Sequence, residues 1–303
     1  MADQYHIPVL QTPSVEGLNI RPSGVYVDLT FGGGGHSRAI LDQLDDTGRL
    51  IAFDQDADAW VHAPQEDSRF HLVKHNFRYL QHFLDYLGYS TVDGVLGDLG
   101  VSSHHFDVAD RGFSFRYDGA LDMRMGAGNE TTAARILNEY PDEKLFSLFK
   151  LYGEVPSTGR LVKAIVQSRQ QTPFERTAQL KEVAEILAPR RDAARYLARV
   201  FQALRIEVNG EMDALHDLLT QMPKLICPGG RLVVISYHSL EDRMVKNLVR
   251  SGNPDHGQAE TDLYGHRHVP FKAINRKVIQ PSDEEIEQNP RARSAKLRIA
   301  ERL

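Results

Sequence analysis

Near the start of the chain, a run of β-branched and aromatic residues ends in four consecutive glycines, and few folds accommodate that combination. The run covers residues 24–31, the glycines are Gly32 to Gly35, and apolar residues with helical spacing follow over residues 38–44. This pattern predicts a strand, a glycine loop and a helix. A ligand can approach the backbone of such a loop closely, because glycine has no Cβ.

Strand-like runs and helical stretches alternate along much of the chain. Further strands are predicted over residues 48–53, 70–73 and 92–97, and one more over residues 229–236. Alternation of this kind is typical of a parallel sheet with helices on both faces. We therefore expect an α/β fold with a Rossmann-like, doubly wound sheet.

A long stretch between the fourth and fifth predicted strands has a mostly helical pattern. Apolar residues recur there at three- and four-residue intervals, for example over residues 161–168 and 193–204. This pattern predicts a helical domain inserted into the sheet domain. The expected division is 1–105 for the first part of the sheet domain, 106–205 for the inserted helical domain and 206–303 for the second part of the sheet domain.

The composition excludes several classes of protein. The 303 residues are 41% hydrophobic and 25% charged, a composition that disfavours both disorder and a membrane span. Met1 to Leu10 lack the layout of a secretory signal and Cys227 has no second cysteine to pair with, so we expect a soluble cytoplasmic protein. The net charge of −5 conceals a basic segment, because residues 159–207 carry ten Lys and Arg against five Asp and Glu.

The residues that follow the predicted strands favour S-adenosylmethionine over other nucleotide ligands. A dinucleotide fingerprint needs glycine or alanine where this chain has Ser37, and the Gly-Lys-Ser/Thr ending of a phosphate-binding loop is absent. Gly34 and Gly35 suit the methionine part of S-adenosylmethionine. Asp54 suits its ribose and Phe77 its adenine. A nicotinamide dehydrogenase stays the weakest alternative, because Asp54 would also suit the ribose of that cofactor.

Longer blocks of sequence resemble one family. Over nearly its whole length the chain is similar to the bacterial 16S ribosomal RNA cytosine-N4 methyltransferases, which modify a decoding-centre cytosine. The resemblance is carried by the blocks His6 to Leu10, Thr30 to Ser37, Asp98 to Ser103, Arg111 to Phe115, Leu121 to Met125, Phe201 to Ile206, Val208-Asn209, Ser236 to Arg243 and Asn289 to Ser294.

The resemblance implies S-adenosylmethionine as cofactor and 16S ribosomal RNA or the small ribosomal subunit as partner, and it leaves a homodimer open. Residues 1–105 and 206–303 would form the methyltransferase domain, and residues 106–205 would recognise the substrate. The implied cofactor-binding residues are Gly34, Gly35, His36, Asp54, Phe77 and Asp98. The family often has Gln where this chain has His105, and we keep His105 in the predicted cofactor site because both side chains can form hydrogen bonds.

Methylation of a cytosine amine requires a hydrogen-bond acceptor on the protein. The amine is a poor nucleophile because its lone pair is delocalised into the ring, so an acceptor must hold an N–H while the nitrogen attacks. Asp98 is the best candidate. The Pro-Pro-aromatic motif that many amino-methyltransferases have at this point is absent, so loop carbonyls are the alternative acceptors. The other predicted catalytic residues are Ser102, Ser103 and His238.

The target base must leave its stack before its amine can react. Phe113, Phe115 and Tyr117 alternate with polar or basic residues and could stack against the base, with a small strand or a packing patch as the alternative. Arg191, Arg195 and Arg199 are spaced by four residues, so we expect them to share a helix face that binds RNA. A solvated helix face is the alternative for these arginines.

Two further classes of function stay open. A DNA amino-methyltransferase would share the cofactor half but methylate duplex DNA, and a non-catalytic assembly factor would bind ribosomal RNA without turnover. No metal is expected, because His104, His105 and His238 form no recognisable ligand motif.

Overall fold

The computed structural model describes residues 8–101, 106–126, 128–259, 261 and 269–303. The chain divides into two compact units, which we call the sheet unit and the helical unit. The sheet unit combines residues 1–100 with residues 212–303, and the helical unit covers residues 101–211.

The boundaries of the two units differ from the predicted ones. The division falls after Gly100 and after Glu211, whereas the sequence pattern placed it after residues 105 and 205. The second shift has a clear cause, because the helix over Ala193–Asn209 continues past residue 205. A boundary inside that helix would separate turns that one hydrogen-bonded ladder holds together.

The helices and strands follow one another in the predicted α/β order. The first elements are α1 (Gln11–Leu18), β1 (Val25–Asp28), α2 (Gly35–Leu41), β2 (Arg49–Phe53), α3 (Ala57–Trp60), β3 (Phe70–Val73), α4 (Leu80–Leu87) and β4 (Val92–Asp98). The helical unit contains α5 (Ala133–Glu139), α6 (Asp142–Leu151), α7 (Thr158–Gln171), α8 (Thr177–Glu185) and α9 (Ala193–Asn209). The remaining elements are α10 (Glu211–Leu225), β5 (Ile226–Ser236), α11 (Ser239–Ser251), β6 (Phe271–Ala273), α12 (Asp283–Gln288) and β7 (Lys296–Arg302).

The seven strands form one sheet in the order β3-β2-β1-β4-β5-β7-β6. Strands β1 to β5 pair in parallel, and β7 runs antiparallel to both β5 and β6. The prediction of a Rossmann-like, doubly wound α/β sheet is therefore confirmed. The strand order reverses between β1 and β4, and in sheets of this type ligands bind beyond the carboxyl ends of the strands at such a reversal.

Both faces of the sheet are buried. Neighbouring residues of a strand point to opposite faces, and they belong to different hydrophobic clusters. Val27 and Ile51 belong to one hydrophobic cluster, which includes residues of α4, α10 and α11. Tyr26 and Leu50 belong to a second cluster, which includes residues of α1 and α2. A parallel sheet covered on both sides is expected to have such continuous apolar strands.

The helical unit has a hydrophobic core of its own. Leu197, Val200, Phe201 and Leu204 lie on one side of α9 and are buried in this core together with Phe149 of α6. Their three- and four-residue spacing is that of an amphipathic helix. Among the residues that the structure describes, no helix is both long enough and apolar enough to span a membrane.

Candidate active site

The glycine loop between β1 and α2 has a backbone that only glycine adopts without strain. The φ angles of Gly32 and Gly34 are 51° and 75°. A Cβ on Gly34 would lie 2.8 Å from Cζ of Phe31, and a Cβ on Gly35 would lie 2.1 Å from Cγ of Pro8. The loop therefore excludes side chains at both positions that the sequence analysis assigned to the cofactor.

Asp28 connects the end of β1 to the helix that follows the glycine loop. Its Oδ2 accepts a hydrogen bond from the Ser37 hydroxyl at 2.6 Å, and its Oδ1 accepts one from the Thr30 backbone N–H at 3.1 Å. Burial raises the pKa of Asp28, and these two donors oppose that rise. The sequence analysis did not identify Asp28, although an acidic residue at the end of an apolar strand is a usable signal.

Asp54 follows β2 and contacts the glycine loop from the side. Its Oδ2 accepts a hydrogen bond from the Gly32 backbone N–H at 2.8 Å, and its Oδ1 accepts one from the Asp56 N–H at 2.8 Å. Asp54 thus lies beside the glycine loop, with its carboxylate held by backbone donors. The geometry is compatible with the predicted cofactor role.

Phe77 begins a 3₁₀ turn after β3 and is half-buried against the core of the sheet unit. The turn is stabilised by Asn76, whose side chain accepts a hydrogen bond from the Arg78 N–H at 2.9 Å. The same side chain donates to Gln55 after β2 at 2.9 Å. These contacts join the segments that carry Asp54 and Phe77, the two residues predicted to bind ribose and adenine.

Asp98 is the last residue of β4 and is half-buried. Its backbone N–H donates a hydrogen bond to the Thr30 hydroxyl at 2.8 Å, and its Oδ1 accepts one from the Tyr237 hydroxyl at 2.8 Å. Burial raises the pKa of Asp98 to about 6, against the opposing effects of His36 and Tyr237. The carboxylate is therefore ionised at neutral pH and can be protonated close to it.

His36 lies in the first turn of α2 and is 5% exposed. Burial lowers its pKa, while the charge of Asp98 and a hydrogen bond with the backbone of Val9 oppose that change. Among the described residues, none hydrogen-bonds to Nε2 of His36. A buried ring nitrogen without a partner is costly, so a ligand atom that pairs with it would be stabilising.

His238 caps the N-terminus of α11. Its Nδ1 accepts a hydrogen bond from the Glu241 backbone N–H at 3.4 Å, and its Nε2 lies 3.2 Å from Oε1 of Glu241. Oε2 of Glu241 in turn accepts from the backbone N–H groups of Tyr237 and His238. This capping arrangement favours a structural role for His238 over the predicted catalytic one. Its neighbour Tyr237 is the residue that hydrogen-bonds to Asp98.

Three of the predicted site residues lie outside the described residues. They are Ser102 and Ser103, predicted to be catalytic, and His105, predicted to bind the cofactor.

The stacking role predicted for Phe113 does not agree with its position. Its side chain is 4% exposed and belongs to the core of the helical unit, so its faces are already in contact with protein. Phe115 is only partly buried, and its ring packs 5.7 Å from that of Phe201 at an angle of 67°. Of the two phenylalanines, only Phe115 retains exposed ring surface.

The three arginines predicted to share a helix face are divided between a turn and a helix. Arg191 precedes α9 and is exposed, whereas Arg195 and Arg199 lie on α9 one turn apart. Nη1 of Arg195 lies 3.8 Å from Asp192, and Arg199 donates a hydrogen bond to the backbone carbonyl of Glu154 at 3.2 Å. The expectation of a single helix face is therefore wrong for Arg191.

The architecture defines a class of protein. The sheet is doubly wound, with β7 antiparallel to its neighbours. A glycine loop follows β1, and carboxylates lie after β2 and at the end of β4. This is the arrangement of Rossmann-like methyltransferases. The model of the MraW methylase family matches residues 3–303, and the chain belongs to that family. The family resemblance inferred from the sequence blocks is thus confirmed.

Relatives match the chain along its full length. A protein of Cytophaga hutchinsonii is 55% identical over 299 residues, which are 98% of this chain and 99% of the relative. A protein of Bacteroides thetaiotaomicron is 54% identical over 298 residues, which are 98% of this chain and 97% of the relative. Both relatives are named Ribosomal RNA small subunit methyltransferase H.

Asp54→Ala is expected to weaken cofactor binding by about 1 to 3 kcal/mol, because the ribose hydroxyls lose an acceptor. Calorimetric titration with S-adenosylmethionine measures the change. Asp45→Ala is the matched control, since Asp45 also accepts two backbone N–H groups, from Thr47 and Gly48, in a turn before β2. Equal affinities of the two variants would remove Asp54 from the cofactor site.

Phe113→Ala is expected to destabilise the protein by about 3 to 5 kcal/mol, because it leaves a cavity in the core of the helical unit. Tyr117→Ala is the control, since Tyr117 is 56% exposed, and it should change stability by no more than about 0.5 kcal/mol. Urea unfolding of both variants measures the difference. A stable Phe113→Ala protein with weakened RNA binding would restore the stacking role.

Proposed function

We propose that this chain transfers the methyl group of S-adenosylmethionine to the N4 amine of a cytosine in 16S ribosomal RNA. The observation that carries the proposal is the half-buried Asp98 carboxylate at the end of β4, with one oxygen held by Tyr237. The relatives named Ribosomal RNA small subunit methyltransferase H support ribosomal RNA of the small subunit as the substrate. We place the reaction in the cytoplasm, where that substrate is assembled.

The residues around the glycine loop suit S-adenosylmethionine. Phe31 and Pro8 occupy the space that a Cβ on Gly34 or Gly35 would need, so the loop would contact the methionine part through its backbone groups. The Asp54 carboxylate lies beside the loop as the candidate acceptor for the ribose, and Phe77 offers a half-buried ring to the adenine. No described residue hydrogen-bonds to Nε2 of the buried His36, and a polar ligand atom would supply a partner for it. When bound, the cofactor supplies an electrophilic methyl group on its sulfonium.

Asp98 would act on the cytosine amine as acceptor and base. A hydrogen bond from the amine to the carboxylate localises electron density on the nitrogen and aligns its lone pair with the methyl group. As the new N–C bond formed and the methyl–sulfur bond broke, with S-adenosylhomocysteine as the leaving group, the nitrogen would become acidic. Its proton would pass to Asp98, which would then release it to solvent. A carboxylate whose pKa is raised to about 6 suits both steps, because it is ionised at neutral pH and yet basic enough to take a proton.

The helical unit would hold the RNA. Arg191 and Arg195 are exposed, and Arg199 lies one turn further along α9. Cations of this kind bind phosphates irrespective of sequence and position the strand. Phe115 and the exposed Tyr117 remain candidates for stacking against the unstacked cytosine.

The activity is tested with methyl-labelled S-adenosylmethionine and three substrates that lack the modification: small ribosomal subunits, free 16S ribosomal RNA and duplex DNA. Label in N4-methylcytidine, found by nucleoside analysis of the RNA, is the expected result. Label in DNA alone would indicate a DNA amino-methyltransferase. Binding to the subunit without any label would indicate an assembly factor.

Asp98→Asn is expected to lower the rate of methyl transfer by a factor of roughly a hundred to a thousand, or about 2.7 to 4 kcal/mol. The amide keeps the shape of the carboxylate but loses its charge and its basicity. Single-turnover methylation at saturating cofactor measures the effect. Asp93→Asn, at the amino end of the same strand, is the control and should keep the rate near that of the wild type.

Near-normal single-turnover methylation by Asp98→Asn would exclude Asp98 as the acceptor. Ser102 and Ser103, four and five residues further along the chain, and His238 would then be the next candidates. Recovery of the rate only on raising the cofactor concentration would instead assign Asp98 to cofactor binding.

Replacement of Arg191, Arg195 and Arg199 by Gln is expected to weaken RNA binding and to reduce its dependence on salt. The slope of log K against log salt should become shallower by up to about 2, because each phosphate contact on a single strand contributes about 0.7. Filter binding over a range of salt concentrations measures the slope. The control is Arg135→Gln with Arg176→Gln, since these arginines pair with Glu139 and Asp118. An equal slope in both variants would identify the α9 face as solvated surface.

A further inference from the structure

Tyr237 is the described residue that donates a hydrogen bond to the Asp98 side chain. The Tyr237 hydroxyl lies 2.8 Å from Oδ1 of Asp98. The contact depends on the pairing of β4 with β5, in which Asp98 lies opposite Ile235. Tyr237 follows two residues after Ile235, just beyond the end of β5, and so reaches back to the end of the neighbouring strand.

Contacts of both its backbone and its ring hold Tyr237 in place. Its backbone N–H donates a hydrogen bond to Oε2 of Glu241 at 2.8 Å, so the cap of α11 fixes the start of the segment. Its ring packs against the hydrophobic cluster on one face of the sheet and lies close to Gly100, where a Cβ would be 3.5 Å from Cδ2 of the ring. The hydroxyl is therefore supported by a rigid frame.

The two oxygens of Asp98 differ in their surroundings. Oδ1 is occupied by the Tyr237 hydroxyl, whereas no described residue donates a hydrogen bond to Oδ2. The side chain of Asp98 is only half-buried, so Oδ2 can be reached by a ligand. A carboxylate anchored through one oxygen has fewer rotamers available and directs the other oxygen in one direction.

We infer that Tyr237 is a positioning residue for methyl transfer, which anchors Asp98 through Oδ1 and thereby directs Oδ2 to the amine of the base. The inference rests on the proposed function of Asp98 as the acceptor. Tyr237 itself touches neither the base nor the cofactor in this role. Its hydroxyl also stabilises the ionised form of Asp98, which is the form that accepts a proton.

The charged groups around the pair determine the direction of the expected pH effect. Burial, Asp28 of β1 and Glu241 of α11 raise the pKa of Asp98, whereas His36 of α2 and the Tyr237 hydroxyl lower it. Burial and the carboxylates of Asp98, Glu241 and Glu285 of α12 raise the pKa of Tyr237 well above its ordinary value. The hydroxyl therefore remains protonated near neutral pH. Its removal must raise the pKa of Asp98.

The test is the pH dependence of single-turnover methylation by Tyr237→Phe, with saturating cofactor and unmodified small subunits. The rate depends on ionised Asp98, so in the wild type it should fall as the pH decreases through the pKa of Asp98. In Tyr237→Phe the apparent pKa should be higher by about one unit, with a loss of about tenfold on the acid side. Raising the pH should recover much of that loss, which a merely structural defect would not allow.

A second measurement is independent of activity. Carbon NMR of labelled aspartate carboxyl groups in the free protein follows the titration of Asp98, with Asp98→Asn used to assign its signal. Tyr237→Phe should raise that pKa by about one unit. The matched control is Tyr26→Phe, which removes a buried hydroxyl that accepts a hydrogen bond from the Arg21 N–H at 2.7 Å near the amino end of β1. Tyr26→Phe should leave both the titration and the rate profile unchanged.

The outcomes separate this inference from the proposed function. An unchanged Asp98 titration in Tyr237→Phe would overturn the inference alone, and Asp98→Asn would still decide the acceptor role. A raised pKa with an unchanged rate profile would overturn the inference and also the acceptor role of Asp98. If Tyr237→Phe does not fold, the pair is measured from the other side. Asp98→Asn removes a carboxylate that raises the pKa of Tyr237, so carbon NMR of labelled tyrosine should show that pKa falling. An unchanged Tyr237 titration would overturn the inference.

Discussion

Carboxylates at the carboxyl edge of the parallel sheet must find hydrogen-bond donors, and the segments that supply those donors build the site. A buried charge without a partner costs far more than a single hydrogen bond returns. Asp28 is fully buried and is satisfied by Ser37, so α2 is held against β1. Asp54 is satisfied in part by the Gly32 N–H, so the glycine loop is held against the end of β2. The shape of the loop therefore follows from the satisfaction of two acids.

The third acid, Asp98, is balanced between opposing effects. Protein atoms around it disfavour the charge, and a donor on the neighbouring strand favours it. The result is a pKa of about 6. A carboxylate with this pKa can both accept a proton and release it near neutral pH. Because β4 and β5 are adjacent and parallel, the residues after both strands emerge at the same edge. The sheet thus brings the proposed acceptor together with the residue that we infer to position it.

Much of the sheet unit could be predicted because its signals are local. Buried parallel strands are short apolar runs, and the residues after them are polar wherever a ligand or a loop needs them. The glycine loop and the acids Asp54 and Asp98 are recognisable in this way. Tyr237 was missed, since its role depends on a hydrogen bond to a residue 139 positions away, a distance that no local pattern shows. Asp28 was missed although an acidic residue at the end of an apolar strand is a local signal, because its contact with Ser37 forms only when α2 packs against β1.

The amino-acid sequence sufficed for the order of strands and helices, the glycine loop, the strand-end acids and the family, because periodicity and motif spacing are properties of neighbouring residues. Packing alone decided which side of its unit each side chain occupies. Phe113 is buried in the core of the helical unit, His238 caps α11, and Arg191 precedes α9. The physical reason is that burial and hydrogen-bond partners depend on strand register and helix contacts, which form only when distant segments meet.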